Sequence, residues 1–174
     1  MGARYTRTAI GLHWIIFVAL AGMMTLGFYV HGLHFSPTRI RLVNYHKWAG
    51  VTLFLLILLR LLWRLTHEPP PLPATMPRLT RWAASAVHWM LYLLMFAIPF
   101  SGWLMSSAKG YQTVWFGIVP LPDLVQRNAV LGSQLLQLHA TLNFILIVLA
   151  AAHAAAAFKH HFIDHDDVLT RILR

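Results

Sequence analysis

The chain has 174 residues, of which 58% are apolar and only 11% charged, a composition that excludes an ordinary soluble domain and indicates an integral membrane protein. Its net charge of +9 is typical of basic loops beside membrane spans, and the lack of basic residues interleaved with aromatic ones argues against nucleic-acid binding. The absence of cysteine excludes disulfides, cysteine-ligated clusters, thiolate zinc sites and a haem attached through thioethers.

The chain contains four apolar runs that are each long enough to cross a bilayer. The first continues well past an Ala-Leu-Ala motif that resembles a signal-peptidase site, so it predicts a membrane helix and not a cleaved signal. Before the second run, Pro37 is expected to prevent a helix, and in the third run Pro99 and Gly102 are expected to kink or loosen the far half. We therefore predict an all-α integral membrane four-helix bundle in one domain, residues 1–174, with spans over residues 9–30, 45–63, 83–105 and 135–158.

Two of the connections between the spans have a distinctive composition. Residues 67–77 are rich in proline and predict a stiff linker. The longest connection, residues 106–134, carries Tyr111, Trp115 and Phe116, which are typical of anchors at the membrane interface. We expect a short amphipathic segment within it that lies on the membrane surface.

The distribution of lysine and arginine predicts the orientation of the chain. With a cytoplasmic N-terminus, nine of the 14 basic residues lie on the cytoplasmic side, which favours placing both ends of the chain in the cytoplasm. The cytoplasmic residues are Arg4, Arg7, Arg60, Arg64, Arg78, Arg81, Lys159, Arg171 and Arg174, and the outer ones are Arg39, Arg41, Lys47, Lys109 and Arg127.

Histidines mark two depths within the predicted bundle. His139 and His153 are fourteen positions apart in the fourth span, about four helical turns, so both lie on nearly one face, roughly 21 Å apart along the axis. In the predicted orientation His13 reaches the depth of His153 near the cytoplasmic side, and His46 reaches the depth of His139 near the outer side. Ionisable side chains inside membrane spans are rare and indicate a functional site.

Each depth therefore offers one imidazole from the fourth span and one from another helix, an arrangement that can hold a b-type haem between two histidines. Tetrahedral zinc would need four ligands, and neither depth offers four. His88 shares the cytoplasmic depth, and on spacing alone it can replace His13 as a ligand. We prefer His13, and give His88 a hydrogen-bonding role toward a propionate or a quinone. Alanines on both sides of His153 leave room for a flat macrocycle, although close helix packing explains them equally well.

The chain resembles a known family in these residues. The features that carry the resemblance are a basic N-terminus, the motif HAAAAFKHH, and the residues His13, Trp14, His46, Arg60, Arg64 and His88. Together they resemble the bacterial cytochrome b561 family, which is related to the b subunits of nickel–iron hydrogenases, over essentially the full length. Within that family the pattern is most similar to the four-helix, di-haem superoxide oxidases.

The resemblance implies two b-type haems and a route for electrons. Superoxide would be oxidised to oxygen at the outer face of a bacterial inner membrane, and its electrons would pass through both haems to ubiquinone. His160, with His161 near it, matches the family position associated with ubiquinone. The implied ligands of the haem irons are His13 and His153 on the cytoplasmic side and His46 and His139 on the periplasmic side.

Two other functions compete with this one. The first is an electron-transfer subunit that relays electrons between the quinone pool and a partner redox protein, with residues 106–134 as its docking surface. The second is a transporter that uses buried histidines and holds no haem. A positive rim would favour the oxidase because it attracts a small anion, although each cation could instead anchor a lipid headgroup. The rim would consist of Arg39, Arg41, Lys47, Lys109 and Arg127.

Overall fold

Four long helices form the protein, and a computed structural model describes residues 4–73 and 76–173. Each of the four is long and apolar enough to cross a membrane, so the predicted all-α membrane four-helix bundle is confirmed. Two parts of the sequence predictions lie outside the described residues. They are Arg174, one of the nine basic residues of the predicted cytoplasmic side, and residues 74–75 of the proline-rich linker. The elements are α1 Arg7–Gly32, α2 Pro37–Thr66, α3 Arg78–Ala108, β1 Val114–Trp115, β2 Val119–Pro120, α4 Ala129–Phe162 and α5 Thr170–Leu173.

A narrow apolar core holds the bundle together. Most of the other apolar side chains are exposed on the outside of the helices, as expected for a surface in contact with lipid. Helix α1 packs against α2, α2 against α3, and α3 most extensively against α4. Ile16 of α1, Ile57 of α2 and Leu146 of α4 are almost completely buried, and they meet Tyr92 and Met95 of α3 in one cluster. This core lies between the two ends of the bundle and separates the polar side chains at one end from those at the other.

Helix α2 begins at Pro37, well before the predicted start at residue 45, and the expectation that Pro37 prevents a helix is wrong. The Oγ atom of Ser36 accepts a hydrogen bond from the backbone N–H of Arg39 at 3.2 Å and so caps the helix. Proline is favoured immediately after such a cap, because the first helical residue needs no N–H partner and its φ angle is already helical. Arg39 and Arg41 therefore lie in the first turns of α2 and not in a loop.

The connection between α3 and α4, where the sequence predicts a short amphipathic segment, folds as a β-hairpin. Strands β1 and β2 pair antiparallel, with Val114 opposite Pro120 and Trp115 opposite Val119. The indole N–H of Trp48 donates to the carbonyl of Val114 at 2.6 Å, which fixes the hairpin on α2. Residues 109–128 therefore fold back against one end of the bundle.

Candidate cofactor sites between the helices

Five histidines well inside the long helices form two groups. The hairpin-side pair consists of His46 on α2 and His139 on α4, at the end of the bundle that carries the hairpin. The terminus-side group consists of His13 on α1, His88 on α3 and His153 on α4, at the end where α1 begins and α4 ends. The structure thus brings together imidazoles from different helices at two depths.

The imidazoles of the hairpin-side pair face each other across the bundle. Their ring centroids are 6.5 Å apart and their planes are inclined by 76°. An iron held between two imidazoles, each bonded at about 2 Å, separates the ring centroids by about 6 Å. The spacing therefore suits a metal between the rings and is too long for a direct hydrogen bond between the two side chains.

The ring orientation of His139 leaves its outer nitrogen free for a metal. Its Nδ1 atom lies 3.0 Å from the carbonyl oxygen of Ile98 and 3.0 Å from the Oγ atom of Ser101. The Ser101 hydroxyl itself donates to the same carbonyl at 2.7 Å, so Nδ1–H is the second donor to that oxygen. A proton fixed on Nδ1 leaves the lone pair on Nε2, which is how metal-binding histidines are usually oriented.

A glycine on a neighbouring helix makes room for each imidazole of this pair. A Cβ atom at Gly27 of α1 would lie 3.3 Å from Cε1 of His46, and one at Gly102 of α3 would lie 3.2 Å from Cε1 of His139. Within residues 4–73 and 76–173, the buried Nδ1 atom of His46 has no hydrogen-bond partner. A buried ring nitrogen without a partner is costly, and a metal bound at that same nitrogen would offset the cost.

Gly102→Ala should therefore weaken cofactor binding at the hairpin side. The new methyl group must displace the imidazole of His139 or break its hydrogen bond to Ile98, although alanine itself favours the helix. We expect the affinity for the hairpin-side cofactor to fall about tenfold, as for other losses of ligand orientation. The measurement is cofactor retained after dilution. Gly22→Ala is the control, because a Cβ there meets no atom within 4 Å, and an equal loss in both variants would contradict the explanation.

The terminus-side group contains three imidazoles, of which two are in direct contact. The rings of His88 and His153 have centroids 5.2 Å apart and meet edge to face. His13 is engaged differently, since its Nδ1 atom lies 2.9 Å from Nη1 of Arg60. A guanidinium has only donors, so Nδ1 of His13 is the acceptor and the ring proton of the neutral imidazole is on Nε2.

Arg60 is central to this end of the bundle, although sequence reasoning uses it only for the orientation and the family resemblance. Its Nε–H donates to the hydroxyl of Tyr92 at 3.1 Å, and its Nη1–H donates to Nδ1 of His13 at 2.9 Å. An arginine several residues before the end of a span was the available signal, but the contacts of its side chain come from two other helices, α1 and α3.

The predicted quinone residue His160 is paired with a carboxylate at the end of α4. Its Nδ1 atom lies 2.7 Å from Oδ2 of Asp166, whose Oδ1 atom accepts from the backbone N–H of Val168 at 3.0 Å. His161 points elsewhere and contacts the ring of Phe162. His160 is therefore held in a fixed orientation by a carboxylate that the backbone also holds.

Asp164 completes a cluster with His160 and Asp166 in which one ligand atom from each lies within 4.8 Å of the others. Both carboxylate oxygens of Asp164 accept from Nζ of Lys159, at 2.8 and 2.6 Å. That hydrogen bond lowers the pKa of Asp164. Because the ammonium group already neutralises this carboxylate, the cluster is better explained as an ion-pair network than as a metal site.

The five cations of the predicted rim all lie at the hairpin end. Among the five acidic residues of the chain, only Asp123 belongs to the segments at this end. Within the described part of the chain, no rim cation forms an ion pair with a carboxylate inside 4.0 Å. Lys47 is half-buried and donates to the carbonyl of Tyr111 at 2.9 Å. The remaining rim cations are Arg39 and Arg41 on α2, Lys109 after α3, and Arg127 before α4.

Comparison with known proteins decides the family. Residues 4–174 match the prokaryotic cytochrome b561 family. The chain belongs to this family. It is 37% identical to cytochrome b561 homolog 2 of Escherichia coli over 172 residues, covering 98% of this chain and 91% of that one. It is 32% identical to cytochrome b561 homolog 1 of Escherichia coli over 176 residues, covering 98% and 97%. It is 26% identical to a protein of Yersinia pestis named probable superoxide oxidase CybB over 185 residues, covering 99% and 97%.

Membership of the cytochrome b561 family agrees with what the helices show. The family binds b-type haem, and the chain is a multi-pass bacterial membrane protein with a role in electron transfer. The hairpin-side pair fits a haem, since its imidazoles face each other at a suitable spacing and one buried ring nitrogen has no partner among the described residues. At the terminus side the alanines on both sides of His153 are exposed on the surface of α4.

Several residues that shape the sites were not singled out as site residues from the sequence. Ser101 and Ile98 orient His139, while Gly27 and Gly102 make space for the two imidazoles. Asp166 orients His160. The glycines carried a readable signal, because glycine inside a membrane helix often marks close approach by a neighbour.

Proposed function

We propose that this cytochrome b561 protein carries two b-type haems and oxidises superoxide at its hairpin end, passing the electrons to ubiquinone near His160 at its terminus end. One observation carries the proposal, the cationic hairpin end directly above the paired imidazoles of His46 and His139. It rests also on the resemblance to the superoxide oxidases and on the name of the Yersinia pestis relative.

The residues at the hairpin end would gather the substrate. Superoxide is a small anion, and five cations against one acidic residue at this end create a positive potential that raises its local concentration. Arg41 and Arg127 are exposed, so their charge acts outward from the protein. No acid–base group is needed here, because loss of one electron converts superoxide directly to oxygen.

The haems would supply one-electron transfer between the two ends. We propose His46 and His139 as ligands at the hairpin side, and His153 with His13 at the terminus side. His88 is the alternative second ligand, because Nδ1 of His13 is engaged by Arg60, although the 5.2 Å between the ring centroids of His88 and His153 is shorter than the spacing that an iron between them would need.

At the terminus end, ubiquinone needs two electrons and two protons, so two superoxide ions are oxidised for each quinol formed. His160 is suited to pass a proton to the quinone, because Asp166 fixes its Nδ1–H and leaves Nε2 as the exchanging atom. With nine cations assigned to the terminus side, we propose that this end faces the cytoplasm and the hairpin end the periplasm. The bacterial inner membrane follows from that assignment.

The alternative is an electron-transfer subunit that docks on a partner redox protein. The hairpin tip favours this alternative in one respect. Its apolar side chains Phe116 and Ile118 are 55% and 79% exposed, and exposed apolar side chains are suited to contact with a partner protein. Against this alternative, main-chain carbonyls of the segment predicted to dock already accept hydrogen bonds from side chains of the long helices. Trp48 holds the carbonyl of Val114, and the indole of Trp103 donates to the carbonyl of Pro122 at 3.0 Å.

A superoxide pulse in a stopped-flow instrument tests the proposal. We expect the oxidised, purified protein to show haem reduction near the diffusion limit, slower reduction at high salt, and reoxidation when ubiquinone is added. The double variant Arg39→Glu with Arg41→Glu should reduce the rate about tenfold or more. The control is Arg7→Glu with Arg78→Glu, two exposed residues at the opposite end, which should leave the rate unchanged. A di-haem protein that ignores superoxide would instead support the subunit function.

A further inference from the structure

We infer that Arg60, together with Arg64 one turn further along α2, binds the carboxylates of the terminus-side haem. The inference rests on the proposed function, because it assumes a haem at that depth. It concerns a role that the pairing of histidines does not provide, namely the recognition of the two propionate groups of the macrocycle.

The first observation is a pair of cations without a counter-ion. All five acidic residues of the chain, Glu68, Asp123, Asp164, Asp166 and Asp167, lie outside the four long helices. In the described parts of the chain, neither Arg60 nor Arg64 forms an ion pair within 4.0 Å. A charge inside a membrane protein normally has a partner, and like charges one turn apart on a helix repel each other. An anion from outside the chain would compensate both charges.

The second observation is that Arg60 is directed into the bundle. Its Nη1 atom contacts Nδ1 of His13, and its Nε atom contacts the hydroxyl of Tyr92, a residue that is only 6% exposed. The guanidinium carbon of Arg64 lies 5.8 Å from the ring centres of both Trp89 and Tyr92. An arginine that served only as a lipid anchor would extend toward the headgroups, whereas Arg60 holds its charge beside the imidazoles.

The chemistry of the ligand follows from these two features. An occupant must be flat and apolar along the imidazoles, and it must present two negative groups to two guanidinium forks. A haem has both properties, and guanidinium binds a carboxylate through two parallel hydrogen bonds. A phospholipid phosphate would satisfy the charge alone, so the experiment must separate the two anions.

The inference also removes a conflict at His13. Binding of iron through Nε2 requires the ring proton to be on Nδ1, but Nδ1 accepts from Arg60 in this structure. A carboxylate provides Arg60 with a stronger, charged acceptor, and Nδ1 is then free to carry the proton. The same arginine would thereby connect propionate binding to the tautomer of His13.

The test compares haem b with its dimethyl ester, in which both carboxylates are blocked. The full-length chain carrying His139→Ala leaves the terminus side as the proposed binding site, and uptake is followed by the spectrum of the bis-imidazole haem. We expect haem to bind about tenfold or more tightly than the ester, the usual value of hydrogen bonds to a charged group. Adding Arg60→Met should lower the preference for haem, and adding Arg60→Met with Arg64→Met should make the two compounds bind equally, while Arg60→Lys should keep part of the preference.

Arg78→Met is the matched control, because this arginine is exposed at the same end and should keep the full preference for haem. Equal binding of haem and ester with Arg60 present would overturn the inference and assign the arginines to a lipid phosphate. Equal weakening of both compounds by Arg60→Met would show a structural role only and would also overturn it. Absence of haem uptake in the His139→Ala chain, when the unsubstituted chain binds only one haem, would instead reject the proposed terminus-side haem itself.

Discussion

Replacing His139 with alanine should remove the hairpin-side haem and leave the terminus-side haem in place. His139 is oriented by the carbonyl of Ile98, faces His46 across 6.5 Å, and is separated from His153 by about four helical turns. Loss of one of two axial imidazoles leaves the iron without its bis-histidine coordination. The haem content per chain should therefore fall to about half, measured as the pyridine complex of the extracted haem together with the absorption spectrum of the purified protein.

His153→Ala should give the reciprocal result, with the hairpin-side haem retained. His34→Ala is the control, because this histidine is exposed and lies outside the long helices, and both haems should remain. Retention of both haems in the His139 and His153 variants would disprove the ligand assignment. Loss of both haems in either variant would show that the two sites fold together and not independently.

The second expected result concerns the choice between two histidines at the terminus side. His13→Ala should abolish the terminus-side haem, whereas His88→Ala should retain it with a shifted spectrum. His13 is the histidine that the resemblance places opposite His153. Arg60, which contacts His13, has a propionate as its proposed partner. His88 contacts His153 edge to face, so its removal changes the surroundings of the ligand without removing a bond to iron.

The measurement is haem content and the redox titration of each variant, in which the hairpin-side haem serves as an internal reference. The reverse pattern, with loss in His88→Ala and retention in His13→Ala, would place the iron between His88 and His153. In that case Arg60 would keep its hydrogen bond to His13 in the loaded protein. Loss of the terminus-side haem in both variants would show that folding of this end requires both imidazoles.

The sequence allowed the bundle and the depths of its histidines to be predicted, because hydropathy and helical periodicity act over long stretches of chain. It did not allow the start of α2 to be predicted, since Pro37 has opposite effects inside a helix and directly after its cap. The hairpin was missed because its two-residue strands have no pattern of their own. They are held by Trp48 and by the bond from Trp115 to Thr52, which are contacts across the fold.

The partners within each site lay beyond sequence reasoning for a related reason. Spacing along one helix predicts the positions of His139 and His153, but it does not predict the rotation of α1 and α3 about their own axes. Whether His13 or His88 faces His153 depends on that rotation. The role of Arg60 depends on it too, because its contacts come from α1 and α3.

The bonds that hold the hairpin have a consequence for how this family can diverge. In three of them the donors are side chains of the long helices, namely Lys47, Trp48 and Trp103, and the acceptors are main-chain carbonyls of the connection. The bond to Thr52 differs, because its donor is the side chain of Trp115. A carbonyl is present whatever residue contributes it. Substitutions in residues 109–128 at positions other than Trp115 can therefore alter charge and shape at the hairpin end while the path of the chain stays the same.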